Sequence, residues 1–229
     1  MTMPLPMIAN PVWDSLHSEH ARFATGSGAL VRYPRDVAPF LAVARDGESL
    51  DHELDALVAP GETFYFVGRA PQIPASWPVE RSLVLQMRCD AAMEPKPVRF
   101  AIVPLGTHDL GDMLALTAIA YPAFFRERAI ELGRYLGVHV DGRLVAMAGE
   151  RMRLTGWQEI SGICTHPDHR GHGYARELTR PFVDASLARG VVPFLHVSIS
   201  NTHAIALYER WGFVRSGEFQ MWKVSRPGE

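Results

Sequence analysis

Two regimes of apolar patterning divide the chain. In the first, short apolar runs at Phe40–Ala44 and Thr63–Val67 predict strands, and Leu50, Leu54 and Leu57 between them recur at helical spacing. Ser82–Cys89 predicts a further strand. The break falls at Met93–Pro97, where two prolines around a lysine disfavour helix and sheet pairing and mark a linker. Beyond it the pattern is more regular. Val98–Leu105 predicts a strand, and Thr107 is placed to cap a helix with Leu110, Met113 and Leu114 on one face. A second helix is predicted to carry Ile130 and Leu132 and to stop near Gly137. Asp141-Gly142 lies between two apolar runs, a hairpin signal because both central turn positions want positive φ. Thr155-Gly156 turns the chain into a strand ended by Pro167. A helix then runs to Gly190 with a kink expected at Pro181, followed by a strand at Pro193–Ile199, a helix capped by Asn201, and a last strand at Glu218–Val224. The predicted order after the linker is β-α-α-β-β-β-α-β-α-β.

This alternation predicts an α/β protein in two parts, residues 1–94 and 95–229. A net charge of -2 with no block of like charge gives no electrostatic case for a nucleic-acid partner. Cys89 and Cys164, the two cysteines, are too few and too far apart for a disulfide framework and read as buried thiols in a reducing compartment. The N-terminal residues have neither a basic start nor an apolar run, and no stretch approaches the ~20 apolar residues of a membrane helix. The expectation is a cytoplasmic protein with no membrane partner.

Candidate chemistry concentrates in Thr165–Ala175, "THPDHRGHGYA". His166, His169 and His172 invite a metal, but Pro167, Gly171 and Gly173 argue against the helix that would stack them, and no cysteine or carboxylate pair completes a ligand set. A dinucleotide fingerprint fails at Arg176, where the third glycine belongs, and no acidic residue follows to hold a ribose. An anion cradle fits: Gly171 and Gly173 let successive N–H groups converge, the following helix adds its positive end, and Arg170 supplies a cation. Elsewhere, "GSG" at Gly26–Gly28 reads as a turn, and Ser15, His17, Ser18 and His20 lack the partner carboxylate of a catalytic set.

Arg170-Gly171-His172-Gly173-Tyr174-Ala175 resembles the acyl-CoA loop R/Q-x-x-G-x-G/A of the GNAT superfamily of N-acetyltransferases. Asn201, Ala204, Tyr208, Gly212 and Phe213 are in register with its second signature. The resemblance covers about Pro95 to the C-terminus. It implies a GNAT fold, a mixed central sheet with splayed parallel strands flanked by helices, preceded here by an N-terminal α/β half. Residues 1–94 resemble the added half of two-part acetyltransferases, including the glycine N-acyltransferase-like branch, and lack a second loop of this kind.

The resemblance further implies acetyl-CoA as cosubstrate and no metal. The pyrophosphate would meet Arg170, Gly171, His172, Gly173, Tyr174 and Ala175, with Asn201 nearby, and pantetheine would pair with the backbone of Ile163 and Thr165. Tyr208 would protonate the departing thiolate. Glu159 would be the base, with His196 as its rival and water the remaining possibility. Tyr121, Phe124 and Phe125 could line an acceptor pocket in which Arg126 or Arg128 holds a carboxylate. The expected function is acetyl transfer to a small-molecule amine such as an amino acid. The alternatives are a protein N-terminus or lysine as acceptor, or a non-catalytic acyl-CoA sensor. Nothing in the sequence sets the oligomeric state.

Overall fold

Eight strands drawn from both sides of the Met93–Pro97 break hydrogen-bond into one sheet in the computed structural model, which describes residues 7–228. The first six residues, part of the N-terminal stretch read above, lie outside that range. The elements are helix α1 (Pro11–Leu16), strands β1 (Thr25–Ser27), β2 (Leu30–Arg32) and β3 (Leu41–Val43), helix α2 (Asp51–Leu57), strands β4 (Thr63–Val67), β5 (Val79–Cys89) and β6 (Val103–Leu105), helix α3 (Leu110–Ala120), strands β7 (Tyr135–Val140), β8 (Arg143–Leu154) and β9 (Trp157–Thr165), helix α4 (Tyr174–Ala188), strand β10 (Val192–Ser198), helix α5 (Thr202–Arg210) and strand β11 (Phe213–Ser225). The sheet order is β4-β11-β5-β10-β9-β8-β7-β6, and β1 to β3 form a separate three-stranded sheet. Together they make the mixed, helix-flanked α/β architecture expected.

Two features of this order position the site. Strand β5, which precedes the break, lies between β10 and β11 and pairs antiparallel with both, so residues before and after Met93–Pro97 share one sheet. Strands β9 and β10 pair in parallel only over Trp157–Glu159 and Val192–Phe194. Past Glu159 they part: β10 stays with β5 as far as Ser198, while β9 stays with β8 as far as Thr165. The edge of β9 that faced β10 is thereby opened over Ile160–Thr165.

Local chemistry explains the turns. Asp141 and Gly142 both take positive φ (50° and 77°) and join β7 to β8 as the hairpin signal requires. The Asn201 side chain accepts the Ala204 N–H at 3.1 Å and caps α5. Two expectations are corrected. The second helix is a single 3-10 turn, Ala129–Leu132, and Gly137 sits inside β7. Pro122 and the positive φ of Ala123 (81°) interrupt helical backbone before that turn, and Tyr135 goes into the sheet with its ring against Phe125. Asp109, whose carboxylate accepts the Gly106 N–H at 2.7 Å, begins the first helix in place of a Thr107 cap. Helix α4 carries Pro181 in its interior, the place where a kink is expected.

Each face of the sheet carries its own core. Leu85, Met87, Ile160, Leu195 and Val197 pack with Tyr174, Leu178, Phe182 and Tyr208 on the side of α4 and α5. Val84, Met152, Leu154, Phe194 and Phe219 pack on the other side with Val12, Leu16, Tyr33, Val37, Ala38 and Phe40. Residues before the break therefore cover part of the second face, which they share with α3 and the segment after it.

Candidate active site

Along β9, alternation would put Glu159, Ser161 and Ile163 on one face. Gly162 takes φ 61° and the register against β8 slips there by one residue, a bulge that lets Ile163 join Ile160 on the α4 side and turns Cys164 to the face of Ser161. A second bulge lies on β8 between Glu150 and Arg153, opposite Glu159. The N–H it frees, that of Met152, donates to Glu159 Oε2 at 3.3 Å.

This second bulge also aims Arg151 at Glu159. Its Nε and Nη2 donate to the two carboxylate oxygens at 2.7 and 2.6 Å. His196 Nδ1 lies 2.8 Å from Glu159 Oε1, and its Nε2 lies 3.2 Å from Gln86 Nε2. Gln86 Oε1 in turn accepts the Ile8 N–H at 3.0 Å, which fixes its amide so that Nε2 donates to the imidazole. A buried polar row thus crosses four strands in order: Arg151 on β8, Glu159 on β9, His196 on β10, Gln86 on β5. Glu159 has no exposed surface. Burial alone would raise its pKa, but the Arg151 charge, the Arg151 hydrogen bonds and His196 outweigh it and hold the carboxyl far below its ordinary range.

Beside this row is a small cavity lined by Val37 and Ala38 from the first half and by Tyr121, Phe124, Phe125, Leu132, Arg151 and Ser161, among others. The Tyr121 hydroxyl lies 3.3 Å from Ser161 Oγ, and Phe124 stacks on Phe40 with centroids 6.0 Å apart. Tyr121, Phe124 and Phe125 therefore come together as the sequence suggested, but the arginine among them is Arg151. Arg128 is spent on Asp36 and Glu131, and Arg126 donates to the Phe125 carbonyl. Sequence reading missed Arg151; the lone glycine in β9 was a signal for one of the two bulges, and nothing local marked the other.

On the opposite side of β9, Gly171 (φ 83°) and Gly173 (φ 81°) shape the loop before α4, and a Cβ at either would meet nothing within 4 Å. The space in front of the loop is open. The first backbone bond of α4 runs from the Glu177 N–H to the Gly173 carbonyl, so the N–H groups of the first turn are left for an anion. The fit to a pyrophosphate is good, with Arg170, His172, Tyr174 and Ala175 in the same turn. The three histidines have other engagements: His166 Nδ1 accepts the Asp168 N–H at 3.3 Å, His169 packs edge-on against His166, and His172 stacks on Tyr174 with Nδ1 3.0 Å from the Arg170 carbonyl. Among the described residues no group of three or more His, Cys, Asp or Glu side chains could hold a metal.

Ile163 and Thr165 lie on the opened stretch of β9. Tyr208 on α5 is buried against Trp211 and Phe213, and burial first, then nearby Tyr121 and Cys164, raises its phenol well above the usual value. Burial also pushes the Cys164 thiol up to about 12 and raises that of Cys89, so both thiols stay protonated. Ser15, His17, Ser18 and His20 form no catalytic set: Ser15 and His20 bond the Tyr33 hydroxyl at 2.8 and 3.0 Å, His17 stacks on Trp13, and Ser18 bonds the Asp14 carbonyl. No helix among the described residues is long and apolar enough to cross a membrane.

Residues 135–222 match the FR47-like protein family. A solved structure from Novosphingobium aromaticivorans, described as an acetyltransferase of the GNAT family, is 34% identical, covers 96% of this chain and 98% of its own, and superposes with a TM-score of 0.86. A GCN5-related N-acetyltransferase from Kribbella flavida shares the fold at 18% identity and a TM-score of 0.64, over 98% of this chain and 97% of its own. N-alpha-acetyltransferase RimI of Mycobacterium tuberculosis is 39% identical over 98 residues, 42% of this chain and 61% of that protein's length. With this loop, these parted strands and these relatives, the chain belongs to the GNAT family of acetyltransferases, enzymes that take their acyl group from acetyl-CoA.

Proposed function

We propose that this enzyme acetylates the primary amine of a small molecule, seated in the cavity between Tyr121, Phe124, Arg151 and the Val37-Ala38 wall. The observation that carries this reading is the enclosure. The first half of the chain supplies part of its wall, and the hollow leaves no room for a ligand that needs a drug-sized site of ~300–1,000 Å³. In this reading the loop Arg170–Ala175 and the Asn201 region hold the nucleotide end of acetyl-CoA, and the free backbone of Ile163 and Thr165 pairs with pantetheine. The amine nitrogen attacks the thioester carbon, the C–N bond forms as the C–S bond breaks, Tyr208 gives its proton to the departing sulfur, and the proton that the nitrogen sheds in becoming an amide passes through water to restore Tyr208. An N–H of the opened strand faces the oxyanion, a donor typically worth ~100- to 1000-fold in rate.

We assign Glu159 a positioning role rather than that of base. Its oxygens already take Arg151, Met152 and His196, and the one lone pair of His196 Nε2 faces Gln86. The apolar wall and the Arg151 charge both disfavour an ammonium in the cavity, so the amine gives its proton to water as it enters. Affinity with the glycine N-acyltransferase-like branch belongs to the same reading and rests on an added N-terminal half without a second acyl-CoA loop.

A second reading is supported by the likeness to RimI, an N-alpha-acetyltransferase: the acceptor would be a protein N-terminus. Thiol release from acetyl-CoA over a panel of small amines and short peptides separates the two. The first reading expects turnover of small amines that exceeds that of every peptide; preferential turnover of peptides would replace it with the second.

A further inference from the structure

Arg151 is the feature that the reaction as described leaves unexplained. Its guanidinium has five N–H groups, and Glu159 takes only those of Nε and one on Nη2. The Nη1 end has no hydrogen-bond partner among the described residues, is not among their sealed unpartnered atoms, and belongs to a side chain that lines the cavity. The Phe40 ring lies 4.7 Å from Cζ and fixes the plane of the guanidinium. An ion pair kept only for stability would turn its spare edge to solvent or backbone. Arg151 instead lines, with Tyr121 and Ser161, an otherwise apolar hollow.

We infer that Arg151 reads a carboxylate on the acceptor, so that the substrate class is a small α-amino acid with an apolar side chain. The inference rests on the small-acceptor reading above. A carboxylate accepts two parallel N–H bonds, and the outer Nη1–Nη2 edge is free to give them while the Nε–Nη2 edge serves Glu159. Tyr121 and Ser161 supply further donors to the same oxygens. In an α-amino acid the amine is one carbon away from the carboxylate, so an anchor at Arg151 holds the nitrogen beside Ser161-Gly162, where β9 has parted from β10. Phe124, Phe125, Leu132 and Val37 then surround the side chain. Arg151 forms no bond to the reacting atoms and acts as a specificity residue.

The test measures CoA release by the full-length enzyme with free apolar amino acids, their C-terminal amides and the amines lacking the carboxyl group. Losing a charge-assisted partner in a buried site should lower kcat/KM by about 30-fold or more for amide and amine alike. Arg151→Met should erase that preference, lowering kcat/KM for the acid to the level of the amide and the amine. If that variant fails to fold, the panel on the unaltered enzyme decides alone. Amides or amines used within 30-fold of the acids overturn the carboxylate inference and leave the small-acceptor reading standing. A preference for acids that survives Arg151→Met overturns the assignment to Arg151. Turnover of peptides alone overturns both readings.

Discussion

Glu159→Gln distinguishes a carboxylate that accepts the substrate's proton from one that holds the sheet together. Every group around Glu159 is a donor: Arg151 Nε and Nη2, the Met152 N–H and, with Gln86 fixing the tautomer, His196 Nδ1–H. Glutamine offers them one oxygen and turns an NH2 toward the rest, and it leaves the Arg151 charge buried with no anion. Breaking a buried pair by removing one partner costs roughly 3–5 kcal/mol. For a chain of this length each kcal/mol moves Tm by about 2–4 °C, so Tm should fall by about 6–20 °C. Thermal unfolding followed by circular dichroism reads this directly. The double variant Glu159→Gln, Arg151→Met removes the stranded charge and should recover most of the loss. Below its Tm the Gln variant should turn over within about tenfold of the parent, whereas loss of a general base would cost ~100- to 10,000-fold and change the pH profile. An unchanged Tm with a rate loss of that size would refute the positioning role and restore Glu159 as the base.

Tyr208→Phe keeps the packed ring and removes the proton, so kcat should fall roughly 100- to 10,000-fold with little change in CoA affinity by calorimetry; a parental rate at all pH values would make Tyr208 a packed ring only. Burial first, then the charges of Arg22 and Arg153, lowers His20 from 6.5 to about 4. The unfolded chain therefore binds this proton before the folded one does. Stability tied to His20 is full above about pH 6.5 and falls by about 3 kcal/mol as the pH drops to about 4. His20→Gln should flatten that part of the denaturant-midpoint profile, and equal slopes in the two proteins would show that His20 does not titrate there.

What was legible in the sequence was local. Asp141-Gly142 announces its hairpin through the φ values its turn needs, Asn201 announces a cap three residues before the N–H it accepts, and the loop glycines announce a backbone that few other residues can adopt. What was not legible depends on pairing between distant strands. Nothing within Ser82–Cys89 says that it will lie between β10 and β11, because a strand's own pattern specifies which face is buried and not which neighbours it takes. Arg151 failed for a related reason. Read by alternation beside Arg153 it is an ordinary strand-end cation, and only the extra residue of the β8 bulge turns it to meet Glu159. The predicted helix over Ile130 and Leu132 shows the opposite error, an apolar spacing whose chain is already committed to the cavity wall and to β7.

The place of β5 changes what the two parts of the chain are to each other. Strand β10 is held by β5 from Phe194 to Ser198, over the stretch in which it leaves β9, so the parting of β9 and β10 is fixed by a strand that precedes the CoA motifs. The polar row has the same dependence: Gln86 on β5 fixes His196, and the Ile8 N–H fixes Gln86. Val37 and Ala38 close the cavity from the same side. A chain cut at Pro95 would leave β10 without its antiparallel partner and β11 without either of its own, since β4 goes too. Bare edges of that length invite association with other chains. The loop that resembles the family's signature therefore lies within a sheet that the first half completes, and the loop, the opened strand and the cavity wall form one unit.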